Sequence, residues 1–225
     1  MRKILRGRDQ IPVSRAQRME ADRLREAAIA RKAPVFGKWL WILFWLVIPN
    51  SIGSLMTSNT ISLMMPGLFQ TGQILIAACS LAYGAILLRL STEEQRYRLA
   101  GVFTMIVSVC NAVEAMVEID GLWLLLPVTV LSLIGIYHEH MAHSEALSGV
   151  NDVLSRKWKN LWKWFIGSCA ALISFPILMF MMGGAAILAV IVLVAAVIGL
   201  VVTSFTKLVY LYRTAKAFRE YPAAK

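Results

Sequence analysis

Residues 185–210 read AAILAVIVLVAAVIGLVVTSFTKLVY, and no charged side chain interrupts them before Lys207. A helix rises 1.5 Å per residue, so about 20 apolar residues cross a hydrocarbon core roughly 30 Å thick. This run is long enough to do so. Working outward from it, five similar blocks meet the same criterion: 36–57, 68–90, 98–118, 122–142 and 160–182. The chain is 58% hydrophobic and only 16% charged, where a soluble domain carries about 25% charge. A strand-built barrel shows short alternating segments rather than blocks of this kind. The expected fold is therefore all-α: a polytopic membrane protein of six transmembrane helices arranged as three hairpins, preceded by a cytoplasmic or interfacial helix.

The connectors predict an orientation. Of the 23 lysines and arginines, eleven fall in residues 1–38, three in 89–98, four in 156–163 and five in 207–225, which accounts for all of them. Connectors 58–67, 119–121 and 183–184 carry none. With six spans, every basic connector lies on one side, as the positive-inside rule requires of the cytoplasm. Both termini are expected to be cytoplasmic, in the plasma membrane. The outer turns IDG and GG are too short for a folded external receptor domain. The corresponding division is a basic N-terminal helix over 1–35, a six-helix membrane domain over 36–212 and a basic cytoplasmic tail over 213–225.

The net charge of +10 follows this topology pattern rather than a nucleic-acid footprint, and no RNP, zinc-finger or helix-turn-helix signature accompanies it. Nucleic acid is not an expected partner. Cys79, Cys110 and Cys169 each sit inside an apolar block without paired spacing, as small apolar residues do. The positive N-terminus has no apolar run behind it and does not read as a cleavable secretory signal.

On the cytoplasmic side, residues 15–33 predict a helix. Ser14 and Gln17 form a capping box at its start, and Pro34 is its expected end. Its apolar face is thin, so it reads as a solvated basic arm on an anionic leaflet or as a partner-docking arm. Ser91 and Glu94 predict a second capping box opening the third helix. Val153, Leu154, Trp158, Leu161, Trp162 and Phe165 share one helical face opposite lysines, a pattern that predicts interfacial anchoring. Small residues four apart, such as Ser80/Gly84, Gly167/Ala171 and Ala195/Gly199, predict close helix packing.

Two clusters could carry chemistry. On the third span, Thr104, Ser108, Asn111, Glu114 and Glu118 fall within an arc of about 120° at 100° per residue, ending beside Asp120. A carboxylate within a span must be paired, protonated or hydrated, so the stripe should face the bundle interior. Asn50, Ser51 and Ser54 on the first span, and Gln70 and Gln73 on the second, could share an outward-opening acidic cavity with it. The candidate solute or ion site is thus Asn111, Glu114, Glu118, Asn50 and Gln73. The alternative is interhelical hydrogen bonding with nothing bound.

All three histidines lie in YHEHMAHSE, residues 137–145, at the opposite end of the membrane. Glu139, His140 and His143 share an arc of about 100° and could hold a divalent metal such as zinc. Position 142 is Ala142, so the HExxH protease arrangement is absent. Ordinary interfacial residues are the competing reading. The two clusters are expected to be separate. No other cofactor is indicated.

No Walker loop, GxSxG or dinucleotide fingerprint occurs. The layout of a cytoplasmic helix and six spans resembles ABC-2-type permease subunits and vitamin-uptake S components, although the first span lacks the AxxxA docking motif of the latter. That resemblance is architectural only. The leading expectation is a transporter or permease-type subunit with a polar, acidic site. The alternative is a non-transporting structural or regulatory subunit that docks a cytoplasmic partner such as an ATPase. A membrane metalloenzyme is the third possibility.

Overall fold

Long apolar runs without internal turn signals fold as helices because only a helix satisfies every backbone group within one segment of lipid-exposed chain. The structure, a computed structural model, describes residues 15–58, 61, 65–116, 122–182 and 186–221. Among these are six long helices and no strand: α1 (Arg15–Met56), α2 (Pro66–Leu90), α3 (Arg96–Met116), α4 (Leu122–Ala146), α5 (Asp152–Met182) and α6 (Ala186–Arg219). Four of them are long and apolar enough to cross a membrane, over Gln17–Met56, Gly67–Leu90, Asp152–Phe180 and Ile187–Arg219. Ser14, Glu118, Asp120 and the turns at 119–121 and 183–184 lie outside the described residues. So does the side chain of Glu114, whose backbone belongs to α3.

Each helix packs on the next, and α6 returns to α1, so the six close a ring. Glycines set some of the closest approaches. A Cβ on Gly72 would stand 2.9 Å from the Gly53 carbonyl oxygen across α1 and α2, and one on Gly101 would stand 2.9 Å from that of Gly84 across α2 and α3. Gly84 belongs to the expected small-residue pairs. Gly167 does not act in this way, since a Cβ there meets nothing within 4 Å.

The apolar core gathers at the end of the ring that carries the 91–95 and 147–151 turns, here called the basic end. Leu40, Leu43, Leu87, Tyr97, Leu147, Trp158 and Leu211 are fully buried there. Outer surfaces remain apolar and open: Phe180 is 92% exposed, Ile187 78% and Phe205 68%. An apolar surface of this extent is far beyond what a soluble monomer presents.

Three local expectations are corrected. Helix α1 does not stop at Pro34 but runs through it for 42 residues. A proline removes one ladder hydrogen bond and costs about 3 kcal/mol, and buried contacts offset this on either side. Ala33 and Phe36 lie in the core, Phe36 stacks on Phe218 at 4.9 Å, and Gly37 lets the α6 backbone at Arg219 come close. Neither α1 at residue 35 nor α6 at residue 212 is broken.

Ser91 does not open α3. It caps the end of α2 in right-handed helical geometry, its hydroxyl donates to the Leu88 carbonyl at 2.6 Å, and α3 begins at Arg96. The third correction is Trp158. It is not an interfacial anchor but a core residue, stacked on His143 at 4.4 Å with its indole N–H donating to Thr214 at 3.0 Å. Leu154 and Leu161 are buried beside it, while Val153 faces outward. Trp164, 73% exposed, has the open position an anchor needs.

The α4–α5 turn brings the basic end together. Gly149 adopts φ +86°, a left-handed conformation that glycine takes without strain, and its N–H donates to Asp152 at 2.9 Å. Asn151 caps α5 by accepting from the Leu154 N–H at 3.0 Å. Ser144 and Ser155 then exchange hydroxyl-to-carbonyl hydrogen bonds between α4 and α5, at 2.9 and 2.7 Å.

Candidate functional site

A ring of six helices leaves an axis that neighbouring contacts do not fill. Here it holds a cavity of about 410 Å³ lined by α1, α2, α3, α4 and α6, but not α5. The wall residues are Leu46, Val47 and Asn50 of α1; Cys79, Ser80 and Tyr83 of α2; and Thr104, Val107, Ser108 and Asn111 of α3. Helix α4 adds Ser132, Gly135, Ile136 and Glu139, and α6 adds Ser204, Lys207, Leu208 and Leu211. From Thr104 to Asn111, or from Ser132 to Glu139, the wall runs about 10 Å along the axis at 1.5 Å per residue.

Glu139 forms its floor at the basic end. The carboxylate is almost fully buried and receives the Lys207 ammonium at 2.9 Å from each oxygen. The Tyr83 hydroxyl donates to Oε1, and the Lys207 Nζ lies 5.6 Å from the centre of the Tyr83 ring. Glu139 thereby ties α4 to α2 and α6, neither of which is its neighbour in the ring. Behind it, His143 Nε2 stands 3.6 Å from Oε1, and the opposite ring nitrogen is 2.7 Å from the Tyr97 hydroxyl. The buried His143 Nε2 has no hydrogen-bond partner within reach.

The wall hydroxyls are largely committed. Thr104 donates to the Ala100 carbonyl at 2.8 Å, Ser108 to Thr104 at 2.7 Å and Ser204 to Leu200 at 2.8 Å. Ser80 donates toward the Asn50 side-chain oxygen at 3.4 Å. These bonds use the hydroxyl protons and leave oxygen lone pairs toward the cavity.

Of the sequence candidates, Asn50 and Asn111 line this space together with Glu139, so the lower part of the polar stripe and one member of the histidine cluster share one cavity. The sequence pattern alone predicts separate sites, and the ring brings them to one space. Gln73 is half-buried on α2 and is not part of the lining. His140 and His143 are buried rather than interfacial. His140 points away from the cavity, with Nδ1 2.8 Å from the Ile136 carbonyl oxygen and its ring against Trp158, Trp162 and Phe165. Among the described residues, no group of three or more histidine, cysteine or acidic side chains is placed to share a metal ion.

Sequence reasoning missed Lys207, Tyr83 and Tyr97. Lys207 carried a weak signal: it is the first charged residue after more than 20 uncharged residues of its own span, at the edge of the segment, where a lysine can reach the headgroups or turn inward to an acidic partner. The two tyrosines carried no comparable signal. Comparison with family models, curated proteins and solved structures yields no match.

Proposed function

We propose that the chain is a six-span plasma-membrane protein, built as three hairpins with both termini cytoplasmic, that binds a small polar solute in its ring and acts as a permease-type transport protein. The observation that carries this reading is the cavity itself: a space of about 410 Å³ within an apolar bundle, lined by polar as well as apolar side chains, with the Glu139–Lys207 ion pair at its floor. Polar and ionisable groups in lipid are expensive and are kept where they line a pathway or bind something. Pure interhelical hydrogen bonding would not require an open volume beside them. In the proposed orientation Glu139 lies in the cytoplasmic half and Asn111 nearer the outer surface.

Two measurements test this. A tag between Thr57 and Pro66 is expected outside the cell, and a cytosolic tag overturns the orientation. Cys79 lines the cavity, so in a Cys110→Ser, Cys169→Ser background a small water-soluble thiol reagent is expected to modify it in intact vesicles. A Cys79 that stays unmodified until the protein is denatured overturns the solute-cavity reading.

A second reading has its own observation. Residues 17–24 of α1 are all exposed and run about 12 Å along the helix at 1.5 Å per residue, ahead of Arg25, whose guanidinium meets the Ser148 hydroxyl at 3.0 Å. Such an arm suits a subunit that docks a cytoplasmic ATPase or regulator. Removing residues 1–24 leaves the Arg25–Ser148 contact and the buried Ala33 and Phe36, and is expected to abolish capture of that partner, while the cavity remains intact.

A further inference from the structure

We infer that the cavity selects a small primary ammonium compound, and that Lys207 is a tethered competitor occupying the ammonium position on Glu139. The inference rests on the solute-cavity reading and gives it a ligand class.

The donor and acceptor inventory points this way. Thr104, Ser108, Ser204 and Ser80 spend their protons on protein oxygens, and Tyr83 spends its proton on Glu139. Apart from the two asparagine amides and the Ser132 hydroxyl, which offer both kinds of group, these side chains present oxygen acceptors. A wall of acceptors ending in a carboxylate matches a ligand rich in N–H donors and carrying positive charge. An anionic ligand would meet lone pairs and the Glu139 carboxylate, with the Lys207 ammonium already engaged by that carboxylate.

The floor already shows the recognition in intramolecular form. The Lys207 ammonium sits 2.9 Å from both carboxylate oxygens and beside the face of Tyr83, which are the contacts a primary ammonium would make. Lys207 is 29% exposed while Glu139 is 5%, so the lysine is the partner with room to move. Its long flexible stem lets the ammonium withdraw while the carboxylate stays in place. An incoming ammonium then replaces one cation by another on the buried carboxylate. Because the competitor is tethered, the apparent affinity falls by the fraction of time Glu139 is free. Occupancy by Lys207 for nine-tenths of the time weakens external binding about tenfold.

The test is equilibrium binding of radiolabelled methylammonium to the detergent-purified full chain. Saturable binding is expected in the wild type, tightened about tenfold or more by Lys207→Gln and lost in Glu139→Gln. Tetramethylammonium, which has no N–H, and acetate are expected not to compete. Lys207→Arg is the second variant should Lys207→Gln fail to fold. The planar guanidinium forks onto both carboxylate oxygens and is harder to displace, so methylammonium binding should weaken several-fold. Acetate binding that disappears in Lys207→Gln, or no methylammonium binding in wild type, overturns the inference. Cys79 modification without methylammonium binding removes this inference and leaves the cavity reading; an unreactive Cys79 removes both.

Discussion

Removing Lys207 is expected to cost more stability than removing the charge of Glu139, and the asymmetry follows from burial. At 2.9 Å and an effective dielectric of 20, two unit charges attract by about 6 kcal/mol. That is a gross figure, from which the dehydration of both ions must be subtracted. Deleting one partner of a buried pair typically costs about 3–5 kcal/mol, because the other charge is left uncompensated. Lys207→Met leaves the Glu139 carboxylate, 5% exposed, with Tyr83 as its remaining close donor, so the cost should fall in that range. Glu139→Gln leaves an ammonium that is already 29% exposed and can move toward water, and the new amide oxygen still accepts from Tyr83. Its cost should be about 1.5–3 kcal/mol, that of a charge-assisted hydrogen bond. The double variant Glu139→Gln, Lys207→Met has no stranded charge and should be more stable than Lys207→Met alone. Thermal unfolding in detergent, read by loss of the monodisperse chromatographic peak, gives the order: wild type, then Glu139→Gln, with Lys207→Met lowest and the double variant above it. A Lys207→Met midpoint equal to that of Glu139→Gln, or strictly additive losses in the double variant, would refute the buried-pair reasoning.

The helix contacts and the basic end make further expectations. Gly101→Ala places a methyl group 2.9 Å from the Gly84 carbonyl oxygen and should destabilise by about 1–3 kcal/mol. Gly167→Ala meets nothing within 4 Å and should stabilise by about 0.5–1 kcal/mol; the same unfolding assay separates the two. Trp158→Phe keeps the ring but loses the bond to Thr214, for about 0.5–1.5 kcal/mol, whereas Trp158→Ala should cost about 3–5 kcal/mol. In the serine exchange between α4 and α5, Ser144→Ala and Ser155→Ala should be non-additive, because each hydroxyl is also 3.0 Å from the other. Additive effects there would mean that the two bonds act independently.

The helical blocks could be read from the chain because lipid imposes a one-dimensional requirement: enough consecutive apolar residues with every backbone group bonded inside the segment. The capping and stop signals failed for a different reason. Ser91 and Glu94 form a valid capping pattern, and Pro34 is an ordinary stop, but both are local preferences worth about 1 to 3 kcal/mol. At Pro34 the burial of Ala33 and Phe36 in the core, with Phe36 stacked on Phe218 of α6, outweighs the preference; at Ser91 the hydroxyl closes the end of α2 by donating to the Leu88 carbonyl, and α3 begins only at Arg96. Trp158 failed in the same way. Tryptophan near lysines has two good environments, and only the position of Thr214, 56 residues later, selects the core.

The cavity floor lay beyond sequence reading for a geometric reason. Helical periodicity places Thr104, Ser108 and Asn111 on one face because they belong to one helix. Glu139, Tyr83 and Lys207 come from α4, α2 and α6, alternate members of a closed ring, and no spacing within one helix reports how deep another stands beside it. Lys207 shows the ambiguity most clearly. In the orientation count it is one of five basic residues after the sixth span, and the count is unchanged whether its ammonium reaches the headgroups or turns back into the ring. The closure of α6 onto α1 decides the matter by setting residue 207 level with Glu139. A positive-inside count therefore assigns its lysines to one side without reporting that one of them is held by a carboxylate inside the ring. The first charged residue after a long uncharged span should be tested for an acidic partner on every other helix before it is assigned to the membrane surface.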